Sequence, residues 1–335
     1  MSSYPCIPNY TYFDSPDFLK LSLHIITIIS TPIYLLGLYC ILFKTPDVMK
    51  SVKWYLFILH ASITLFDYSF SVLTIPYLMI PQVAGIPFGV LRYLGVPTSF
   101  QTAFVLMIQT SVVISSISIY ENRYFIICEF RGKQQWRVLR RFWLFFHYVY
   151  CMTLLLVVFS ILPDQEPAKE RLFQSLPCLP EFLYNEPVFV LLESNIFPAI
   201  ALAFLLIVVA VELAIFISQL LINIQLQQRT ARISQKTYQA QKQFLFALFA
   251  QSSTLVLTMI FPVSYGIWAF FVNYYNQAVI HVVVISVTTH GLIATVVMLW
   301  VHKPYRLAVK EMFGAMDKKL QQRFKVTPMF VSQHY

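Results

Sequence analysis

A chain of 335 residues that is 58% hydrophobic and only 12% charged would not stay dispersed in water, which excludes a soluble globular enzyme or binding module. The formal charge of +9 lies mostly in gaps between long apolar stretches, so it reports orientation in a bilayer and needs no nucleic-acid partner.

A bilayer core needs about 20 mostly apolar residues per helix, and seven stretches meet that requirement. They are Leu19–Phe43, Trp54–Ile80, Val96–Cys128, Phe142–Leu162, Val188–Ile224, Phe244–Phe271 and Val279–Val301. The expected fold is an all-α bundle of seven transmembrane helices forming a single domain over 1–335. Residues 1–18 form a short amino-terminal segment and 302–335 a tail. The first 18 residues carry Asp14 and Asp17, lack a basic start and run straight into a long span, so the first helix serves as its own targeting signal.

Twenty of the 24 Lys and Arg residues fall in the first, third and fifth gaps and in the tail. Only Lys20, Arg92, Lys169 and Arg171 fall on the other side. Basic residues near a span resist translocation, so the amino terminus is expected outside and the carboxyl terminus in the cytoplasm. The sequon Asn9-Tyr10-Thr11 agrees, because glycosylation of Asn9 requires the lumenal face. Cys6 and Cys178 are the two cysteines on that outer side. A disulfide between them would pin the amino terminus over the long loop Pro163–Pro187; the alternative is two unpaired thiols.

Along the spans, each ionisable group in apolar surroundings is a candidate site. Asp67, near mid-membrane in the second span, must face the bundle, to hold a cation or water network or to be satisfied by a neighbouring Ser or Asn. The third span carries Gln101 near its outer end and finishes in Glu121-Asn122-Arg123. There the arginine can be held by the acid or by an acceptor on another helix, which makes a two-state latch. In the fifth span Glu193 faces a ligand cavity or interfacial water, and the deeper Glu212 packs or snorkels. Pro262 is placed to kink the sixth span, followed by Tyr265 and Trp268, which belong to an interfacial belt or line a pocket. His281, one turn into the seventh span, is placed to reach the outer cavity, although a hydrogen-bonded structural histidine is the plainer reading. His60, His147, His281 and His290 have no metal-ligand spacing. The Gln-rich run 219–243 reads as a helical hairpin extending the fifth and sixth spans, solvated or docking a cytosolic partner. No hydrolase, Walker or dinucleotide motif occurs, so no enzyme activity and no cofactor are expected.

Several stretches in order then resemble the nematode chemoreceptors called serpentine receptors, class H, over nearly the whole chain. They include Tyr39-Cys40-Ile41, Lys44-Thr45-Pro46, Val52-Lys53-Trp54 with His60, Pro76-Tyr77 and Gly95-Val96-Pro97. Glu121-Asn122-Arg123, Pro163-Asp164-Gln165, Pro177-Cys178, His290-Gly291 and His302-Lys303-Pro304-Tyr305-Arg306 continue the series. The resemblance implies a G-protein-coupled receptor for small environmental chemicals, carried to the plasma membrane of sensory cilia. Glu121-Asn122-Arg123 is similar to the acidic-Arg-Tyr triplet of rhodopsin-like receptors, with Asn122 inserted before the arginine. The seventh span ends without their Asn-Pro-x-x-Tyr, and no cysteine stands atop the third; Cys6 with Cys178 is the implied substitute. The expected ligand site is an outer cavity between helices three, five, six and seven. A G-protein α subunit would dock against Arg123, Arg137, Arg140, Arg141 and the hairpin with Arg232. A ligand-gated cation channel with its amino terminus inside, or a non-signalling scaffold, are the alternatives.

Overall fold

The computed structural model describes residues 10–176, 178–192, 196–230 and 232–325. Among them seven helices are long and apolar enough to cross a membrane. The first span is Pro16–Phe43, opened by Ser15, whose hydroxyl accepts from the Phe18 amide, with Pro16 in the first turn. The second is Lys50–Tyr68, continued to Thr74 by a wider π-type turn. The third, fourth and sixth are Thr98–Ile127, Lys133–Ser160 and Gln235–Val272. The fifth lies within Ile196–Arg229. The seventh is broken into Gln277–Thr288 and His290–Val301.

The third span sits centrally, packing against the second, fourth and fifth, while the seventh packs on the first, second and sixth. The fourth span buries none of its residues against protein. Its Phe142, Phe145, Phe146 and Leu156 face outward, as suits a helix solvated by lipid tails.

The second span stops earlier than hydropathy indicates. Hydropathy cannot see that Pro76 has no amide proton to continue the ladder and forces the preceding Ile75 out of helical conformation. Ile75 lies at φ 41°, and Pro76–Met79 (β1) turns back as a hairpin with Val83–Pro87 (β2). Phe189–Leu192 (β3) joins β2 antiparallel, so the first part of the stretch assigned to span five is strand. The free edge of β3 is covered by Gln165, which donates to Val190 O at 3.1 Å and accepts from Val190 N at 3.0 Å. Arg92 fixes the same cap to Glu186 at 2.6 Å. The Gln-rich run forms the expected hairpin, with helix to Arg229 and again from Gln235.

Candidate functional site

Three sites line up along the bundle, from the hairpin end to the end that carries the basic gaps. The first is a cavity of about 420 Å³ under the three-stranded sheet, within the size range of small-molecule pockets. Strand alternation builds its roof: Pro76 and Leu78 face the cavity while Tyr77 and Met79 enter the core beyond. Phe189 and Leu191 likewise face it, with Val190 buried on the other side. Leu78, Gly85 and Phe189 pair across the sheet, and the missing side chain at Gly85 leaves space between two large ones. Phe70 and Thr74 of the second span, Gln101 and Val105 of the third, and Gly266 of the sixth close the walls.

Among the described residues the lining comes from spans two, three and six and from the sheet, where a cavity between helices three, five, six and seven was expected. The hairpin occupies what hydropathy assigned to the second helix, and brings spans two and three to the cavity. Gln101 lines it, as expected. His281 does not: it is fully buried, its Nδ1 meets Phe13 O at 2.8 Å, and its ring packs on Phe18 and Tyr77. It belongs to a staple in which Asp14 accepts from the Ala278 amide and from Thr11. Tyr265 is buried and Trp268 about half exposed, and neither lines the cavity. Glu193, Cys6 and Asn9 lie outside the described residues. Cys40, Cys128 and Cys151 are free thiols, whereas Cys178 is not.

The second site is at mid-bundle. Asp67 accepts from the Tyr34 hydroxyl of the first span and faces the Gly291 and Leu292 amides of the seventh. Those amides begin a helix whose Thr289 cap supplies no side-chain bond, so a carboxylate from another span serves the helix start. The hydroxyl partner is a tyrosine where a Ser or Asn was expected, and Asp67 Oδ1 has no hydrogen-bond partner among the described residues. Gly291 makes room: a Cβ there would stand 2.7 Å from Ile63 Cγ2 and closer still to the carboxylate. His290 beside it is buried, and neither ring nitrogen has a hydrogen-bond partner among the described residues. Glu212 pairs with His147 of the fourth span at 3.3 Å.

The third site lies at the basic end. Glu121, fully buried, accepts from Arg140 Nη2 at 2.6 Å and from Trp136 Nε1 at 2.8 Å, both on the fourth span. Arg140 also donates to Asn122 Oδ1 at 3.2 Å. Glu121 and Arg123 are thus not partners. Residues two apart on a helix point roughly 200° away from each other. Arg123 instead stacks on Phe244 of the sixth span, its guanidinium carbon 3.8 Å from the ring centre, and its Nε has no hydrogen-bond partner. His302, packed on Phe244 and Tyr305, closes this niche. Burial first, then the Arg123 charge, lowers its pKa to about 4, so it is neutral beside the arginine. Arg137, Arg141 and Arg232 are exposed, whereas Arg140 is committed to Glu121. The spacing of Trp136 and Arg140, four residues apart on one helix face, is the signal that marks this acceptor-seeking pair in the sequence.

Pro262 lies within the sixth helix, which continues unbroken through it. Its missing amide leaves one ladder bond unmade between the Arg123 contact and the Gly266 wall of the cavity, about one turn before Gly266.

A family model described as serpentine type 7TM GPCR chemoreceptor Srh matches residues 14–315. Serpentine receptor class H-72 of Caenorhabditis elegans is 26% identical over 309 residues, spanning 92% of this chain and 89% of that protein. The crystal structure of squid rhodopsin aligns with a TM-score of 0.58 at 10% identity, over 94% of this chain and 92% of that one, a likeness of fold.

Proposed function

Because the chain belongs to the Srh family of serpentine seven-transmembrane chemoreceptors, we propose that it binds a small chemical under the hairpin and activates a heterotrimeric G protein at its basic end. In this reading the hairpin end faces outward and the tail lies in the cytoplasm, as the distribution of Lys and Arg supports. Asn9 is then open to glycosylation, Cys6 pairs with Cys178, and the receptor resides in the plasma membrane of a sensory cilium.

The observation that carries the reading is the Arg123–Phe244 stack, which ties the third span to the sixth without an acidic partner. A cation on an aromatic face contributes about 2 kcal/mol or more when desolvated, a difference that a ligand's differential affinity for the two packings can overcome. The ligand favours a packing in which the sixth span swings about Pro262. The stack parts, and Arg123 is presented to the G-protein α subunit together with Arg137, Arg141 and Arg232. Arg140 stays on Glu121 and holds the fourth span. Neither the channel nor the scaffold alternative has an observation in its favour.

Arg123→Ala should preserve surface expression and cut ligand-stimulated nucleotide exchange on the α subunit at least tenfold. The measurement is guanine-nucleotide uptake in membranes matched for receptor content; exchange at the wild-type level would remove Arg123 from the mechanism.

A further inference from the structure

We infer that the cavity under the hairpin takes an uncharged, largely apolar molecule whose single polar tip is a hydrogen-bond donor, such as a medium-chain alcohol, and that Gln101 Oε1 is the acceptor that selects it. The inference rests on the reading of that cavity as the ligand site. No Asp, Glu, Lys, Arg or His lines it among the described residues, and none of those residues would offset the desolvation of an ionised ligand. At about 30 Å³ for each water-sized group, 420 Å³ accommodates on the order of a dozen non-hydrogen atoms.

The polar groups of the wall settle which tip fits. Thr74 Oγ1 donates to Ser69 O at 2.6 Å and Thr102 Oγ1 to Thr98 O at 2.9 Å, so both hydroxyl protons are engaged. Gln101 Nε2 donates to Val96 O at 2.8 Å. A carbonyl can only accept, so this bond fixes which end of the amide is nitrogen. Oε1, the other end, is buried and has no partner, on a side chain only 2% exposed. Gln82 also lines the cavity, but it is half-buried at the hairpin turn and is not sealed and unpartnered as Gln101 Oε1 is. An unanswered buried acceptor favours any ligand that brings it a proton over one that brings a second acceptor. To make this bond the ligand's tip parts the side chains that now cover Oε1 and lodges against the third span.

The test uses three probes of equal size, 1-octanol, 1-methoxyheptane and octylamine, on purified receptor in lipid nanodiscs, with binding read from thermal stabilisation against probe concentration. 1-Octanol should bind about tenfold more tightly than the ether and more tightly than the amine. Gln101→Leu should bring alcohol and ether level, and Val105→Trp, which fills the cavity, should abolish binding of both. Comparing the probes on the wild-type protein requires no variant to fold. Equal affinity for alcohol and ether, preference for the amine, preference that survives Gln101→Leu, or no binding of 1-octanol would overturn the inference. Alcohol binding undiminished by Val105→Trp would overturn the cavity reading itself, a different result from loss of selectivity at an intact site.

Discussion

Replacing Gly291 by alanine is expected to cost the folded bundle about 3 kcal/mol and to leave little receptor at the cell surface. Alanine is the better helix former by about 1 kcal/mol, so local propensity predicts the opposite sign. Packing decides the outcome. The new Cβ would stand 2.7 Å from Ile63 Cγ2 and 2.9 Å from Asp67 Cγ, both on the second span. Neither can yield cheaply, because Asp67 is held by Tyr34 and by the amides that start the second half of the seventh span. Asp67→Ala should also be destabilising, since it orphans those donors. Because the clash is largely with the carboxyl group, the double variant should be little worse than Asp67→Ala alone. The thermal midpoints of the four proteins in one detergent give the coupling; strictly additive losses would show that the two residues do not oppose each other.

Arg140→Ala is expected to cost about 3–5 kcal/mol, the range for stranding one member of a buried ion pair. Glu121 is fully buried and Arg140 side-chain exposure is 13%, so little water is at hand to take the arginine's place. Trp136 alone would remain to answer the carboxylate. Replacing both charges by apolar residues of similar size should recover most of the loss, because the removed pair was offsetting its own desolvation. Thermal unfolding of Arg140→Ala and of the Glu121→Leu, Arg140→Leu double variant measures both quantities. A single variant with wild-type stability would mean that Glu121 does not depend on the fourth span.

Much of the fold can be read in the chain because membrane burial imposes a coarse demand that composition answers directly. Seven apolar stretches correspond to seven helices, and the Gln-rich run does continue two of them. Where an apolar run contains a backbone instruction, hydropathy misleads: Pro76 ends the second helix inside a stretch that reads as continuous span. The same limit moved the cavity, since the strand that roofs it looks like helix to a hydropathy window. Ionisable residues at Asp67, Glu121 and Arg123 mark real internal contacts, but their partners come from other helices at azimuths no local spacing reveals. Tyr34 and Gly291 answer Asp67, and Arg140 answers Glu121. Gln101 was identifiable as a polar residue at the right depth, while its unanswered oxygen depends on Val96 O lying within reach of Nε2.

The contact between Arg123 and Phe244 is the hinge of the proposed mechanism, and basal nucleotide exchange in the absence of any chemical reads it directly. Phe244→Leu keeps the apolar bulk and removes the aromatic face, so it should raise basal exchange on a purified α subunit several-fold, while Phe244→Trp, a stronger cation partner, should leave it at or below wild type. Exchange that is the same in wild type and both variants, with each protein folded and inserted, would contradict an arginine latch between the third and sixth spans.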